Sequence, residues 1–328
     1  FGSFLSELDP QRSFFLSTDI SEFEAYRFKL DDMLKSGDLR PVFMIYNRYQ
    51  QRMVERLIYM ADMVESKIET ITFDTHEYFS TDRKSEPWPR TRAEQEELWR
   101  KGVKSDILTL LLEDKPLTEI QETLSKRYRS QLNRIAQTNS EDVFQLFMNA
   151  FTQTFDPHTQ YFSPRLSENF SIDMSLSLEG IGAMLGVEDD YVKVVRLVPA
   201  GPADKSGELK PGDRITGVGQ GAEGDIMDVV GWRLDDVVAL IRGPKETVVR
   251  LKVIPADAAG DDHTKVISIV RNTVRLEEQA ARKEIIEVGD GERPYRIGVI
   301  TIPTFYLDFN ALNSGQDDFK STTRDVRK

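Results

Sequence analysis

Two hydrophobic periods divide this chain near Asp156-Pro157-His158-Thr159. Before that point apolar residues return every three or four positions, the spacing of helices that bury one stripe. After it they gather in short β-rich runs punctuated by glycine. A chain that changes period in this way is neither a single helical bundle nor a single sandwich. With 328 residues it is long enough for two or more domains, each with its own core.

The helical part starts with Asp19-Ile20-Ser21-Glu22, which resembles a capping box ahead of Phe23, Tyr26 and Leu30, with residues 31–37 closing that helix. Val42, Tyr46, Tyr49, Met53, Leu57, Met60 and Val64 predict a long amphipathic helix that leaves Arg48, Gln51, Arg52 and Glu55 for solvent. Order fails between Thr70 and Arg92, where Pro87-Trp88-Pro89 is a rigid break and Trp88 is expected to pin the loop. Thr91 with Glu94 offers a capping box for a helix through Leu98, and Thr118 with Gln121 does the same for the next. That next helix carries Ile120, Leu124, Tyr128, Leu132 and Ile135, and a last one Val143, Phe147, Ala150 and Phe151. Residues 1–160 therefore read as an all-α domain.

Beyond it, strands are expected at Tyr191 to Val198, Arg214 to Val218, Val248 to Ile254 and Lys265 to Arg271. Asp257 to Asp262 reads as a polar hairpin tip, and Val288 to Glu292 as a turn before a strand from Arg296 to Ile302. After Pro303 the sequence reads as a polar tail, too short for a core of its own, so the chain is expected to end inside a domain. Residues 163–173 and 279–293 are hinge candidates by position.

Composition excludes several classes. A net charge of -12 opposes a phosphate backbone, and the absence of cysteine removes disulfides, thiolate metal sites and cysteine nucleophiles. No run approaches the 18 apolar residues of a membrane span. Phe1-Gly2-Ser3-Phe4 lacks the order of a signal peptide and reads as a mature or trimmed start. His76, His158 and His263 lie far apart, and neither Glu188-Asp189-Asp190 nor Asp257 to Asp262 alternates oxygen ligands as a calcium loop does. Gly219-Gln220-Gly221-Ala222-Glu223-Gly224 matches a dinucleotide pattern, but Glu223 and Asp225 would face the phosphates and no long helix follows, so it reads as an ordinary loop. No metal or cofactor is expected.

One constellation carries chemistry. Gly180-Ile181-Gly182-Ala183-Met184-Leu185 sets two glycines around an apolar residue before a strand, so that successive backbone N–H groups can turn inward as a nest for a carboxylate. Further on, Leu234, Val238 and Ile241 form one helical stripe, and Arg233, Val237 and Leu240 form another rotated by about 100°. The first stripe is assigned to the core, and the second to a groove with Arg233 at its rim. Asp235 and Asp236 suit the positive end of that helix, and Arg242-Gly243-Pro244 ends it. Between nest and helix an extended peptide could add as a strand, its last side chain in an apolar pocket.

The surrounding residues carry a resemblance. Val198-Pro199-Ala200-Gly201-Pro202-Ala203, with Lys210-Pro211-Gly212-Asp213-Arg214-Ile215, resembles the PDZ domains of bacterial C-terminal processing peptidases, over roughly Leu176 to Arg271. Ala136 to Phe144, Asp156 to Thr159, Met174 to Ala183 and Gly231 to Val238 resemble the tail-specific protease branch of that family, and Ile297 to Tyr306 is similar to the opening strand of its protease domain. The resemblance implies a multidomain α+β chain: an all-α domain over 1–160, a β-rich PDZ domain with two helices over 170–275, and over 276–328 a linker with the first strand of an α/β protease domain. It further implies a periplasmic serine endopeptidase of a Gram-negative envelope, whose PDZ groove captures apolar C-terminal tails of substrates and gates proteolysis, with a lipoprotein or envelope adaptor as a further partner.

In that family a Ser activated by a Lys does the cutting, beyond the opening strand of the protease domain. No residue here is expected to take either role, and no Gly-x-Ser-x-Gly elbow, no Ser three residues before a Lys, and no His-Glu-x-x-His pair occurs. This stretch alone is expected to be inactive. The alternative is a non-enzymatic adaptor or scaffold that uses the same groove to bind C-terminal peptides.

Overall fold

The computed structural model describes residues 1–258, 263–289 and 295–327. It divides into two compact units, Phe1–Ser163 and Pro164–Lys328.

The first unit is helical: α1 (Gly2–Leu8), α2 (Ser17–Phe23), α3 (Leu30–Ser36), α4 (Arg40–Lys67), α5 (Arg92–Leu111), α6 (Leu117–Ala136) and α7 (Ser140–Thr152). At 28 residues α4 is about 42 Å long and serves two cores. Its first half packs Val42 and Ile45 with Phe4, Phe15, Phe23 and Phe147. Its second half packs Leu57, Met60 and Val64 with Val103, Ile107, Ile120 and Leu124. Each buried stripe follows the spacing of three and four that the sequence shows.

Several helix ends differ from expectation. The box at the start of α2 sits earlier than Asp19-Ile20-Ser21-Glu22: the N-cap is Leu16, whose N–H donates to the Asp19 carboxylate. Asp19 also accepts from Arg48 and Arg52 of α4, and Glu55 accepts from Arg52 and Arg92, so both arginines and Glu55 are bound rather than left to solvent. Their flank of α4 borders α2 and α5, and a buried carboxylate recruits the nearest cations. Residues 31–37 do not close the first helix but belong to α3, which ends on Gly37 with a φ of 76°. At α5, Thr91 accepts from the Glu94 N–H and Glu94 from the Arg90 N–H, and the helix runs past Leu98 to Leu111. Pro116 precedes α6, so Thr118 is no cap, and the Gln121 amide donates instead to the carbonyls of Val64 and Glu65. Trp88 pins its loop through Nε1, which donates to Asp9 at 3.1 Å, while Arg12 stacks 4.5 Å above the ring.

The second unit begins with α8 (Pro164–Ser175), a helix over one hinge candidate. Then come β1 (Ser177–Gly180), β2 (Ala183–Glu188), β3 (Tyr191–Leu197), α9 (Pro202–Ser206), β4 (Arg214–Gln220), β5 (Ile226–Asp228), α10 (Leu234–Ile241), β6 (Val248–Ile254), β7 (Lys265–Val270) and β8 (Asn272–Arg275). The main sheet runs β2-β3-β4-β6-β7, all antiparallel, with β5 on β4, while β1 and β8 pair separately. Its core is Val192, Val194, Ile215, Val218, Val249, Leu251, Val253, Ile267 and Ile269, closed by Val237 and Ile241 of α10. The Gly219–Gly224 segment is the end of β4 and a loop whose Gly221 and Gly224 carbonyls accept from Arg250, so its oxygens face a cation.

The expected strand from Arg296 to Ile302 is β10 (Tyr295–Thr301), paired with β9 (Arg282–Val288), a strand the sequence does not lead one to expect. Parts of two expected turns, residues 259–262 and 290–292, lie outside the described residues. The stretch after Pro303 is more than a polar tail: α11 (Phe309–Asn313) and α12 (Thr322–Arg327) follow, and Tyr306 is buried with Leu176 and Ala280. Its hydroxyl donates to Asp325 and accepts the N–H of Ala281, so one aromatic side chain organises the segment.

Candidate functional site

β2 is an end strand of the main sheet, and α10 packs near it. An end strand presents unpaired N–H and C=O groups along its outer edge. A bulge between Met184 and Leu185 shifts its register against β3.

The loop from β1 into β2 is held by its carbonyls. The Ile181 carbonyl accepts from the Ala203 N–H and the Gly182 carbonyl from the Val198 N–H, both at 2.8 Å. Among the described residues no acceptor takes the N–H groups of Ile181 and Gly182. Gly182 has a φ of 74°, which reverses the chain after Ile181 and for which glycine is the natural residue. Gly180, paired with Asn272, lies beside Arg242: a Cβ on Gly180 would be 3.8 Å from the Arg242 Cγ. The β1–β2 loop thus lies beside the residue that follows α10, and Arg242 itself donates to Asn169 of α8 at 2.7 Å. In the sequence Arg242 is only a helix stop. Its place beside the nest depends on a contact between segments sixty residues apart.

The apolar site residues distribute differently from expectation. Val237 is 0% exposed in the core, so it does not line an open groove. Ile241 is buried with it, and Leu234 and Leu240 pack partly against the same core. The core stripe of α10 is therefore 234, 237 and 241, and it is Val238, half-buried outside that core, that stands on the helix's free flank. The two proposed stripes differ by one residue of rotation, and one face of an eight-residue helix suffices to close this core. Ile181 is likewise a core side chain, which leaves only its backbone for the nest. Ala183 and Leu185 are half-buried against the core, Met184 is 44% exposed, and Arg233 is the half-exposed N-cap of α10. At that same end, Arg165 of α8 lies 3.7 Å from Asp235 and 3.6 Å from Asp236.

Comparison with known proteins agrees with this architecture. Residues 1–165 match the tail specific protease N-terminal domain, and residues 169–254 match the PDZ domain. The tail-specific protease of Haemophilus influenzae is 41% identical over 308 residues, which are 94% of this chain and 43% of that protein. The carboxy-terminal processing protease CtpA of Bacillus subtilis is 34% identical over 122 residues, 37% of this chain and 24% of that protein. A crystal structure of the PDZ domain of a carboxy-terminal protease from Vibrio cholerae in complex with peptide has 56% sequence identity, covers 31% of this chain and 100% of that one, and gives a TM-score of 0.29. A helical domain joined to a PDZ module, with relatives named as tail-specific and carboxy-terminal processing proteases, sets the class to which the chain compares. Within that class it belongs to the tail-specific protease family. It spans less than half the length of either curated relative.

Proposed function

We propose that the groove between β2 and α10 takes the C-terminal tail of a substrate protein as an added strand. The observation that carries this reading is the outer edge of β2 beside α10, with the N–H groups of Ile181 and Gly182, unpaired among the described residues, at one end. The tail pairs with β2, its carboxylate meets the two N–H groups with Arg242 close by, and its last apolar side chain settles between Leu185 and Val238. β2, at six residues, gives about 20 Å of ladder, enough to read several residues of a tail.

In this reading the chain is the recognition half of a tail-specific serine protease, and the Ser and Lys that cut belong to sequence outside these 328 residues. β9, β10 and the segment around Tyr306 are the beginning of the catalytic domain. The setting is the bacterial periplasm, with which a chain free of cysteine is compatible, and an envelope lipoprotein is a candidate adaptor.

Hydrogen–deuterium exchange of the 328-residue chain, with and without a peptide ending in an apolar residue, tests the groove. Exchange is expected to slow across residues 181–187. Unchanged exchange there under saturating peptide would overturn the reading.

A further inference from the structure

Arg271 is 3% exposed, and each hydrogen bond it makes ends on a neutral acceptor. Nε donates to the Ile241 carbonyl at 2.8 Å. One terminal nitrogen donates to the Thr247 hydroxyl at 3.0 Å and the Val248 carbonyl at 3.3 Å, and the other to the Gln220 side-chain oxygen at 2.7 Å and the Leu240 carbonyl at 3.0 Å. Burial alone holds its pKa below the ordinary value, with no carboxylate acting on it among the described residues. Acidic side chains are at hand, yet Glu179 accepts from the Lys245 N–H, and Glu246 meets Arg271 only through its own N–H on the Arg271 carbonyl. A buried cation without an anion is costly, and a fold that keeps one invites the question of what completes it.

Position answers that question. Leu240 and Ile241 are the last residues of α10, and the carbonyl end of a helix carries partial negative charge. The nest lies at this end, where Gly180 borders Arg242, and a Cβ on Gly243 would be 3.1 Å from Arg271 Nε. Without a cation on those carbonyls, a carboxylate in the nest would face the repulsive end of its own groove wall.

We propose that Arg271 is a positioning residue for the tail's carboxylate: its buried guanidinium supplies the counter-charge that lets an anion settle at the carbonyl end of α10, without touching it. This assignment rests on the groove reading above. A purely structural Arg271 would support acid and amide peptides alike. A charge-bearing one supports the acid selectively.

The test uses the full 328-residue chain and one apolar-ended peptide, prepared as free acid and as C-terminal amide, with dissociation constants from calorimetry. In the wild type the acid binds more tightly. Arg271→Gln is expected to reduce the acid-to-amide preference by about tenfold, and Arg271→Lys to keep most of it. Gln220→Glu sets a carboxylate on the guanidinium with Arg271 in place, and is expected to lower the preference in the same direction; it decides the matter if Arg271→Gln fails to fold. A wild-type preference that survives Gln220→Glu, or that survives Arg271→Gln in a folded protein, overturns the role of Arg271 alone. Equal binding of acid and amide by the wild type overturns the capture of the terminal carboxylate on which it rests.

Discussion

Gly182 and Gly201 stand back to back, with a Cβ on Gly182 only 3.3 Å from the Gly201 Cα and from the Val274 methyls. The β1–β2 loop therefore closes onto the loop before α9 so tightly that a Cβ on either would push its neighbours by a few tenths of an ångström. Gly182→Ala adds the strain of a left-handed residue and is expected to cost about 1–2 kcal/mol in urea unfolding. Gly201→Ala sets its Cβ 3.0 Å from the Val198 carbonyl and is expected to cost about 1–3 kcal/mol. A larger residue at Gly182 would damage the fold and the nest together, so loss of binding in such a variant would say little about recognition.

Val237 and Val238 are expected to separate stability from binding. Val237→Ala opens the core beneath α10 and should cost about 2 kcal/mol. Val238→Ser, on the free flank, should cost less than about 1 kcal/mol yet weaken an apolar-ended peptide roughly tenfold. Paired denaturation and calorimetry on the two variants check this. Equal loss of affinity at both positions would return the groove assignment to Val237.

In the helical unit, Asp19 should govern acid stability. Burial works against its charged form, but bonds from Arg52, the Leu16 N–H and Arg48 outweigh it and hold the carboxyl below its ordinary value. A folded-state pKa depressed in this way contributes stability that is complete above the unfolded value near 4 and is lost as pH falls through the folded one. Asp19→Asn is expected to cost about 2–3 kcal/mol near neutral pH, because Arg48 and Arg52 keep Glu22 and Glu55 as partners. The gap from wild type should narrow as urea unfolding is repeated from pH 5 towards pH 3. A gap independent of pH would assign the cost to packing.

The sequence made the architecture readable where period and punctuation agree. The stripe from Val42 to Val64 and the strand Val248 to Ile254 are found as expected, because burial on one face leaves a pattern that local reading recovers. Elements without such a pattern are not legible in the sequence. α8 buries none of its residues, and β9 is exposed along its whole length, so neither shows a period. At the site, the glycines mark the turn before β2, since a φ of 74° at Gly182 leaves a compositional trace. The rotation of α10 left none, because Val237 and Val238 are chemically the same residue. In the sequence Arg271 is no more than the end of a strand, since its place under the helix is set by bonds to residues 23 to 51 positions away.

The measurement closest to the central claim is a titration of the wild-type chain with an apolar-ended peptide as free acid and as amide. Capture of a chain end by the Ile181 and Gly182 N–H groups requires the acid to bind at least tenfold more tightly, with the gap shrinking as salt is raised. Equal affinities would mean that the edge of β2 pairs with extended peptide without sensing its terminus, and would contradict the account.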